Sequence, residues 1–594
     1  MRIAPTIVSA VSSLPRHGRQ WPGLALLIAL AVQTAFLLET ATRPLFRFPL
    51  IDSASYHRQA LAILAGTTPA EPFWQPPAYP YFLGAIYGLC GTQLIIARAV
   101  HAMLGVLLVG LTFGIARRLA LSARQACVAA VVVALCGPLV FYSSQLLPAV
   151  PAAVLLLLAL GLIFRADRLG TVRAWIWAGL GIGVATITVA NMLVMLPVAA
   201  VLAWRRNKAP DFCTVGTTSG RLKQAGALLA ATLLVIGLVS LRNRMVGGAW
   251  VAISTNGGIN FYIGNNAHDE VSLSTQPGTD WERLSRLPWI AGARTPVEAE
   301  RWFWRESLLY AAQHPGRFAG RMVDKLLAFW HGRELPRNFD LYGWRNESRV
   351  LAFLVGSSPG VFIPGGLLMP LGLLGLALAL RRGRAACAAA VTVLLFSLSV
   401  ALIFPASRYR VPVLPLLAIF AVLAIGWLWE QARARRSGWL GAGVAALVLL
   451  GVMANRPMAW PTDRVRYDAH LQNALGAAMD VRGDLTGAEK AYQTALALDP
   501  DFADAWFNLG TVRGRREDLP GAQSCYRHAI MLRPDQDRAR VNLGVVLFRA
   551  GQVAAARREL EAALSLNPLN TEAQRNLQVL ELRAKPPPPK AKRQ

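Results

Sequence analysis

Between residues 22 and 455 the chain is a succession of apolar runs, each long enough to cross a hydrocarbon layer of about 30 Å as a helix. Clear runs lie at 22–40, 93–116, 123–142, 146–165, 224–241, 359–380, 385–404, 411–429 and 438–455. The run 174–204 would overshoot the layer by roughly 15 Å as one helix at 1.5 Å per residue, so it reads as two short spans around Thr188–Asn191. Eleven spans result. With 54% hydrophobic and 16% charged residues, the chain is a multispanning membrane protein rather than a soluble multidomain one.

The formal charge of +28 sits in short clusters between the apolar runs rather than in one patch, which speaks for membrane topology and against nucleic acid. The clusters are RHGR from 16, ARRLALSAR from 116, RADRLGTVR from 165, WRRNKAPDF from 204, RRGR from 381 and EQARARRSG from 430. Short basic loops stay cytoplasmic. With eleven spans and a cytoplasmic N-terminus all six fall inside. The first run lacks an A-x-A type cleavage site, so it reads as a retained span. Six scattered cysteines (Cys90, Cys127, Cys136, Cys213, Cys387, Cys525) form no CxxC pair and indicate neither a zinc cage nor a disulfide framework.

This topology puts a first loop, 42–92, and a large loop, 242–358, outside, together with the turns FYSSQLLP from 141 and FPASRYRVP from 404. The large loop is longer than spanning requires, and loops of that size are uncommon unless functional or separately folded. In the first loop Asp52 precedes the amphipathic SASYHRQALAIL and the proline-aromatic EPFWQPPAYPYFLGAIYGL. Asp52 suits either an N-cap or a proton acceptor. Arg408 and Arg410 lie on the side that topology disfavours for basic residues. Arg98, near the outer end of a span, either snorkels or meets an anion. Lys325, Trp330, Glu334 and Asn338 either hold the large loop together or touch a substrate. GLGIG from Gly179 follows no strand and reads as a helix-packing stretch, and His57 and His268 are open as metal ligands, although a lone external histidine is more often a surface residue.

The tail repeats at an interval of 34: Leu475-Gly476, Leu509-Gly510 and Leu543-Gly544; Ala488, Ala522 and Ala556; Ala495, Ala529 and Ala563; Pro500, Pro534 and Pro568. This is the tetratricopeptide signature. Small Gly and Ala let paired helices approach, and Tyr492, Tyr526 and Leu560 fill the contacts between them. The expected domains are a membrane part, 1–455, and repeats over 465–583 (469–502, 503–536, 537–570 and a capping helix), followed by a disordered basic tail, 584–594. The repeat groove suits a protein partner as well as a spacer or dimer role.

The membrane part resembles the GT-C glycosyltransferases, specifically the polyprenyl-phosphate-sugar-dependent branch that includes protein O-mannosyltransferases and the aminoarabinose transferases of lipid A. The resemblance rests on Asp52 with Tyr56, PPAYPYFLGAIYGLCG from Pro76 and RAVHAMLGVLLVGLTFGIARRL from Arg98. It continues in NGGINFYIGN from Asn256, HPGRFAGRMVDKLLAFWHGRELPRNFDLY from His314 and RYRVPVLP from Arg408. It implies an all-α, polytopic GT-C-like domain in a bacterial inner membrane, with the repeats on the periplasmic side.

In an inverting transfer from a lipid-phosphate sugar the phosphate already leaves well, so one carboxylate suffices as base and cations must stabilise the departing phosphate. The resemblance implies Asp52 as base and Arg408, Arg410, Arg98 and Lys325 as phosphate ligands. Tyr56, Tyr79, Tyr81, Asn260, Tyr262, Glu334, Asn338 and Tyr409 would position substrate or lipid. The partners implied are a polyprenyl-phosphate-sugar donor, a protein or glycolipid acceptor, the bilayer and no nucleic acid.

The chain departs from the pattern where relatives carry a second acid (Ser53 here), a lysine before the double proline (Gln75) and further external acids (Gln145, Ala149). No metal site is therefore expected, a divalent cation being the only cofactor left open. The competing readings are a non-catalytic scaffold and a lipid-sugar transporter, and spans almost free of acids favour the enzyme over the transporter. Cysteines placed in 242–358 and in 465–583 are expected to react with impermeant thiol reagents on intact cells. Protection of both regions would overturn the topology.

Overall fold

The protein, described by a computed structural model over residues 20–68, 70–205, 218–338, 340–358 and 360–584, folds into two compact units. One comprises residues up to Thr275 and Ser285–Asp463; the other comprises Gln276–Leu284 together with the chain from Arg464. Among the described residues the only strands are Gly356–Ser358 and Val361–Ile363, paired antiparallel; the rest of the regular structure is helical. The basic clusters at 16–19 and after Arg205, Cys213 and the expected disordered tail lie outside the described residues.

Among the described residues of the first unit seven helices are long and apolar enough to cross a membrane: Trp21–Thr40, Leu94–Arg118, Ala149–Leu169, Thr218–Gly247, Arg384–Ala401, Ser407–Arg433 and Ser437–Asn455. Four shorter apolar helices, Ala123–Ala134, Val172–Thr188, Ala190–Trp204 and Gly365–Ala379, overlie the remaining apolar runs. The expected continuous run 123–142 is broken. Its helix opens on a capping box between Ser122 and Gln125 and ends at Ala134, and a short helix, Gly137–Tyr142, restarts with Pro138 in its first turn. Proline has no N–H to continue the ladder and is tolerated where the first N–H groups are unpaired anyway. The run 174–204 breaks at Val189, whose backbone is extended (φ −144°), before a 3-10 turn over Ala190–Val194.

Gly179 and Gly183 show why GLGIG is a packing stretch. A Cβ on Gly179 would collide with the Leu228 carbonyl, and one on Gly183 would lie 2.7 Å from Val235. The helices Val172–Thr188 and Thr218–Gly247 meet backbone to backbone there, and the Thr232 hydroxyl donates across the contact to Gly179 O at 3.1 Å. Lipid tails are as apolar as leucine, so such close van der Waals contact holds spanning helices together. The acid at the end of the first span, Glu39, has a structural use. It accepts from Ser348 Oγ (2.6 Å), Arg349 N (2.7 Å) and Val350 N (3.2 Å), satisfying the start of the helix Arg349–Leu354.

Among the described residues, the part of the second unit from Arg464 holds seven α-helices, from Tyr467–Val481 to Thr571–Ala584. The repeat residues pack as their spacing predicts. A Cβ on Gly476 would lie 2.7 Å from the Tyr492 ring, on Gly510 2.9 Å from Tyr526, and on Gly544 2.9 Å from Leu560. Ala488, Ala522, Ala556, Ala495, Ala529 and Ala563 are all fully buried. Within the stretch 242–358, read from the sequence as a large external loop, Gln276–Leu284 groups with the repeat unit.

Gly179→Ala forces a methyl into the Leu228 carbonyl, and overpacking of this kind costs about 1–3 kcal/mol. The purified protein should melt at a lower temperature, whereas Gly114→Ala, with open space around that position, should leave the melting temperature unchanged.

Candidate active site

Asp52 opens the helix Asp52–Leu64, but as its first residue and not as its cap. Ile51 occupies the N-cap position, with no side-chain cap bond, so the capping role considered for Asp52 is not the one it takes. Ile51 also has φ 54°, ψ −116°. A β-branched side chain there is strained by about 1–3 kcal/mol, and such outliers cluster at functional sites. The turn aims the Asp52 carboxylate away from its own helix and toward two other segments.

The first is the stretch Glu334–Asn338. The Asn338 amide donates to Asp52 Oδ2 at 2.5 Å. The second is the start of the Ser407–Arg433 helix, where the Arg408 guanidinium is bonded to the same oxygen. The remaining oxygen, Oδ1, has no hydrogen-bond partner among the described residues. Arg408 also donates to the Tyr409 hydroxyl at 3.0 Å and lies 4.9 Å from that ring's centroid.

The two segments are locked to each other beside this pair. Ser407 N and Oγ both donate to Leu335 O (2.9 and 3.0 Å). Arg410 pairs with Glu334 at 2.9 Å and donates to the backbone oxygens of His331 (2.5 Å), Arg333 (2.7 Å) and Phe329 (3.4 Å). The two ion pairs differ in access: the Arg410 and Glu334 side chains are 1% and 6% exposed, those of Arg408 and Asp52 19% and 24%. Arg410 is thus committed to holding the loop, and Arg408 remains reachable.

The other candidates fall around this centre at differing removes. Tyr56, one helical turn after Asp52, packs edge-on against Tyr79 (4.9 Å between centroids), and the Tyr79 hydroxyl meets His101 Nε2 at 3.1 Å. Burial pushes both phenols up, so they stay protonated and can only donate or accept hydrogen bonds. Arg98, buried one turn before His101, lies over the Phe46 ring and reaches Phe48 O at 3.5 Å, just upstream of Asp52.

Lys325 belongs to a separate cluster. Its ammonium donates to Asn265 Oδ1 at 2.8 Å, and burial pulls its pKa down to about 7 despite Asp269, which is itself paired with Arg321 at 2.7 Å. Burial thus disfavours the charged form of Lys325, whereas the guanidinium of Arg408 stays charged. Asn260 and Tyr262 lie on the helix Gly257–Gly264, with Tyr262 against Trp302 and Phe303. Tyr81 is exposed, edge-on to Phe73.

Among the described residues no three His, Cys, Asp or Glu side chains gather closely enough to hold a metal. His57 instead bonds the Tyr87 hydroxyl at 2.7 Å. Sequence reasoning passes over Arg337 and His101. Arg337 is buried, donates to Leu273 O and to Ser272 O (3.4 Å) and covers the Phe404 ring, so it holds the stretch that delivers Asn338. A basic residue beside Asn338 in a loop expected outside was the available signal.

Residues 74–218 match the family model of the dolichyl-phosphate-mannose-protein mannosyltransferases, and residues 473–582 that of the middle tetratricopeptide-like domain of cilia and flagella-associated protein 70. The mannosyltransferase match includes Tyr79, Tyr81 and Arg98 but begins after Asp52. No curated protein matches the chain. Among solved structures, the first tetratricopeptide domain of Spaghetti (RPAP3) bound to an HSP90 peptide is 21% identical, covering 20% of this chain and 94% of that one at a TM-score of 0.20. A Thermobaculum terrenum O-GlcNAc transferase mutant is 28% identical over 19% of this chain and 22% of that one, at 0.19. The Yersinia enterocolitica secretion chaperone SycD with a YopD peptide is 20% identical over 19% and 92%, also at 0.19. The chain is thus a multi-pass membrane protein that resembles the GT-C mannosyltransferases in its N-terminal region and ends in a tetratricopeptide-like domain.

Proposed function

We propose that the membrane unit transfers one sugar from a polyprenyl-phosphate-linked donor to an acceptor hydroxyl on the external face, with inversion at the anomeric carbon. The observation that carries this reading is the Asp52 carboxylate, held through Oδ2 by Asn338 and Arg408. An ionised carboxylate accepts about four hydrogen bonds, so one held on a single oxygen can still take a proton on the other. The acceptor O–H gives its proton to Asp52 Oδ1 as its oxygen attacks the anomeric carbon. The bond from that carbon to the phosphate oxygen breaks, and its electron pair leaves with the lipid phosphate. Arg408 then stands beside the oxygen that gains charge, where a preorganised cation contributes most. Asn338 and Tyr409 set the positions of base and cation. Arg410 and Glu334 act one layer back, by fixing the two segments that carry them.

The sugar, the acceptor and the lipid length are left to experiment. The family match makes mannose the first sugar to try, and the tetratricopeptide unit would recruit or orient a protein acceptor.

Asp52→Asn keeps the volume and removes the proton acceptor. Since Asp52 does not cap its helix, the variant should fold and insert normally while transfer falls on the order of a hundredfold or more. Mass spectrometry of envelope glycoproteins and glycolipids from cells expressing each form reads this as a lost hexose- or pentose-sized adduct. Near-normal adduct levels with well-expressed Asp52→Asn protein would remove the catalytic assignment.

The two arginines should separate. Arg410→Ala leaves Glu334 buried and unpaired, and breaking such a pair costs about 3–5 kcal/mol, so thermal melting in detergent should show a large loss of stability. Arg408→Ala should melt within a few degrees of the wild type yet lose most turnover. Equal loss of folded protein in both variants would make Arg408 structural.

A further inference from the structure

The repeat unit includes nine residues that are not part of the repeats. Gln276–Leu284 runs along the N-terminal ends of the helices Ala503–Arg515 and Asp537–Arg549, and its contacts resemble recognition of a peptide more than a connection. Asp504 uses both carboxylate oxygens on one residue: Oδ2 accepts from Thr279 N at 3.0 Å and Oδ1 accepts from Thr279 Oγ at 2.5 Å. Gln536 Nε2 donates to the same hydroxyl at 3.2 Å. Such paired acceptance from a backbone N–H and a hydroxyl selects Ser or Thr.

The residue before Thr279 is equally restricted. Gly278 has φ 124°, which side chains other than hydrogen rarely adopt, and a Cβ there would run into Asp504 Oδ2. The residues after it are read by charge. Arg533 meets Asp280 at 3.2 Å, Arg538 meets Glu282 at 3.0 Å, and Asp535 meets Arg283. Arg533 also lies 3.5 Å from Asp504, which places two opposite charges side by side at the floor of the site. Asp504 and Gln536 are 8% and 4% exposed. Gln536 Nε2 also reaches Asp504 Oδ1 at 3.4 Å, and a ligand that lacks the matching hydroxyl leaves this buried carboxylate with fewer partners, which gives selectivity.

We propose that Asp504, Arg533, Gln536 and Arg538 form a peptide-recognition site for a segment of the pattern Gly-(Ser/Thr)-Asp-x-Glu, filled in cis by Gly278–Glu282 and open to competition from a partner polypeptide that presents the same pattern. Arginines reading an acidic motif are a recurrent mode of peptide capture. Here they flank a carboxylate that reads the hydroxyl, so a partner lacking the Ser or Thr is refused even if it is acidic. A covalently attached segment acts at a high effective concentration, so a free peptide meets a site that is mostly filled until the cis segment is weakened.

The test uses the full chain in nanodiscs and a fluorescein-labelled synthetic peptide of residues 276–285, QPGTDWERLS. Gly278→Ala in the protein weakens the cis segment by a clash with Asp504 and alters no residue of the site itself, and this form should bind the peptide at least tenfold more tightly than wild type. Adding Asp504→Ala to the protein, or replacing Thr279 by Val in the peptide, should each reverse that gain. If Gly278→Ala perturbs folding, hydrogen exchange on the unaltered protein carries the same question: a saturating amount of peptide should raise exchange in 276–284, and the Thr279→Val peptide should not. Equal affinity for wild type and Gly278→Ala, binding indifferent to Asp504, or unchanged exchange under saturating peptide would each overturn the proposal.

Discussion

The arrangement around Asp52 depends on one buried ion pair, Arg410 with Glu334. A guanidinium with 1% of its side chain exposed is costly unless nearly all its donors are satisfied, and here a carboxylate and three backbone oxygens surround it. Those backbone oxygens belong to Phe329, His331 and Arg333, so satisfying the charge forces residues 329–334 to wrap around the start of the Ser407–Arg433 helix. Leu335 then caps Ser407, Arg337 is anchored on Leu273 O, and Asn338 arrives at Asp52. With the two Ser407 bonds to Leu335 O, this buried charge holds an irregular polar stretch closely against an apolar helix.

Two arginines separated by one residue thus do different work. On a helical turn, neighbours at i and i+2 point to different sides. Arg410 points into the loop's backbone and Arg408 toward Asp52 and partial solvent exposure. A cation expected to meet a substrate phosphate must keep donors in reach, and Arg408 alone of the pair does so. Lys325 illustrates the opposite case: burial pulls its pKa down, and its ammonium is engaged by Asn265, which suits a structural hydrogen bond better than anion binding.

The repeat unit is organised by size rather than by charge. Glycine at 476, 510 and 544 lets the ring of Tyr492 or Tyr526, or the Leu560 side chain, lie against helix backbone. Ion pairs such as Arg513 with Glu489 and Arg540 with Glu559 join the repeat helices, and a further set lies at the edge, where Arg533, Asp535 and Arg538 meet the segment Asp280–Arg283. A solenoid stacks its core from nearest-neighbour contacts, which leaves its edges free to carry recognition.

The sequence by itself determined the class of protein, its helical architecture, the repeat interval and the packing residues of the repeats, because those properties depend on local composition and on spacing along the chain. Hydrophobic length selects spanning helices, and a period of 34 residues puts the same small residue at every helix contact. It also nominated Asp52, Asn338 and Arg408, through a resemblance in motif order. Only tertiary structure decided that the three meet on one oxygen, that Arg410 is consumed by backbone carbonyls, that Ile51 and not Asp52 stands at the N-cap, and that Gln276–Leu284 packs with the repeats. Apart from the local backbone turn at Ile51, each of these is a contact between residues far apart in the chain, separated by 356 positions for Asp52 and Arg408 and by 225 for Thr279 and Asp504. Spacing carries no information about such pairs, because what brings them together is the satisfaction of buried charge and hydrogen bonds in the folded chain.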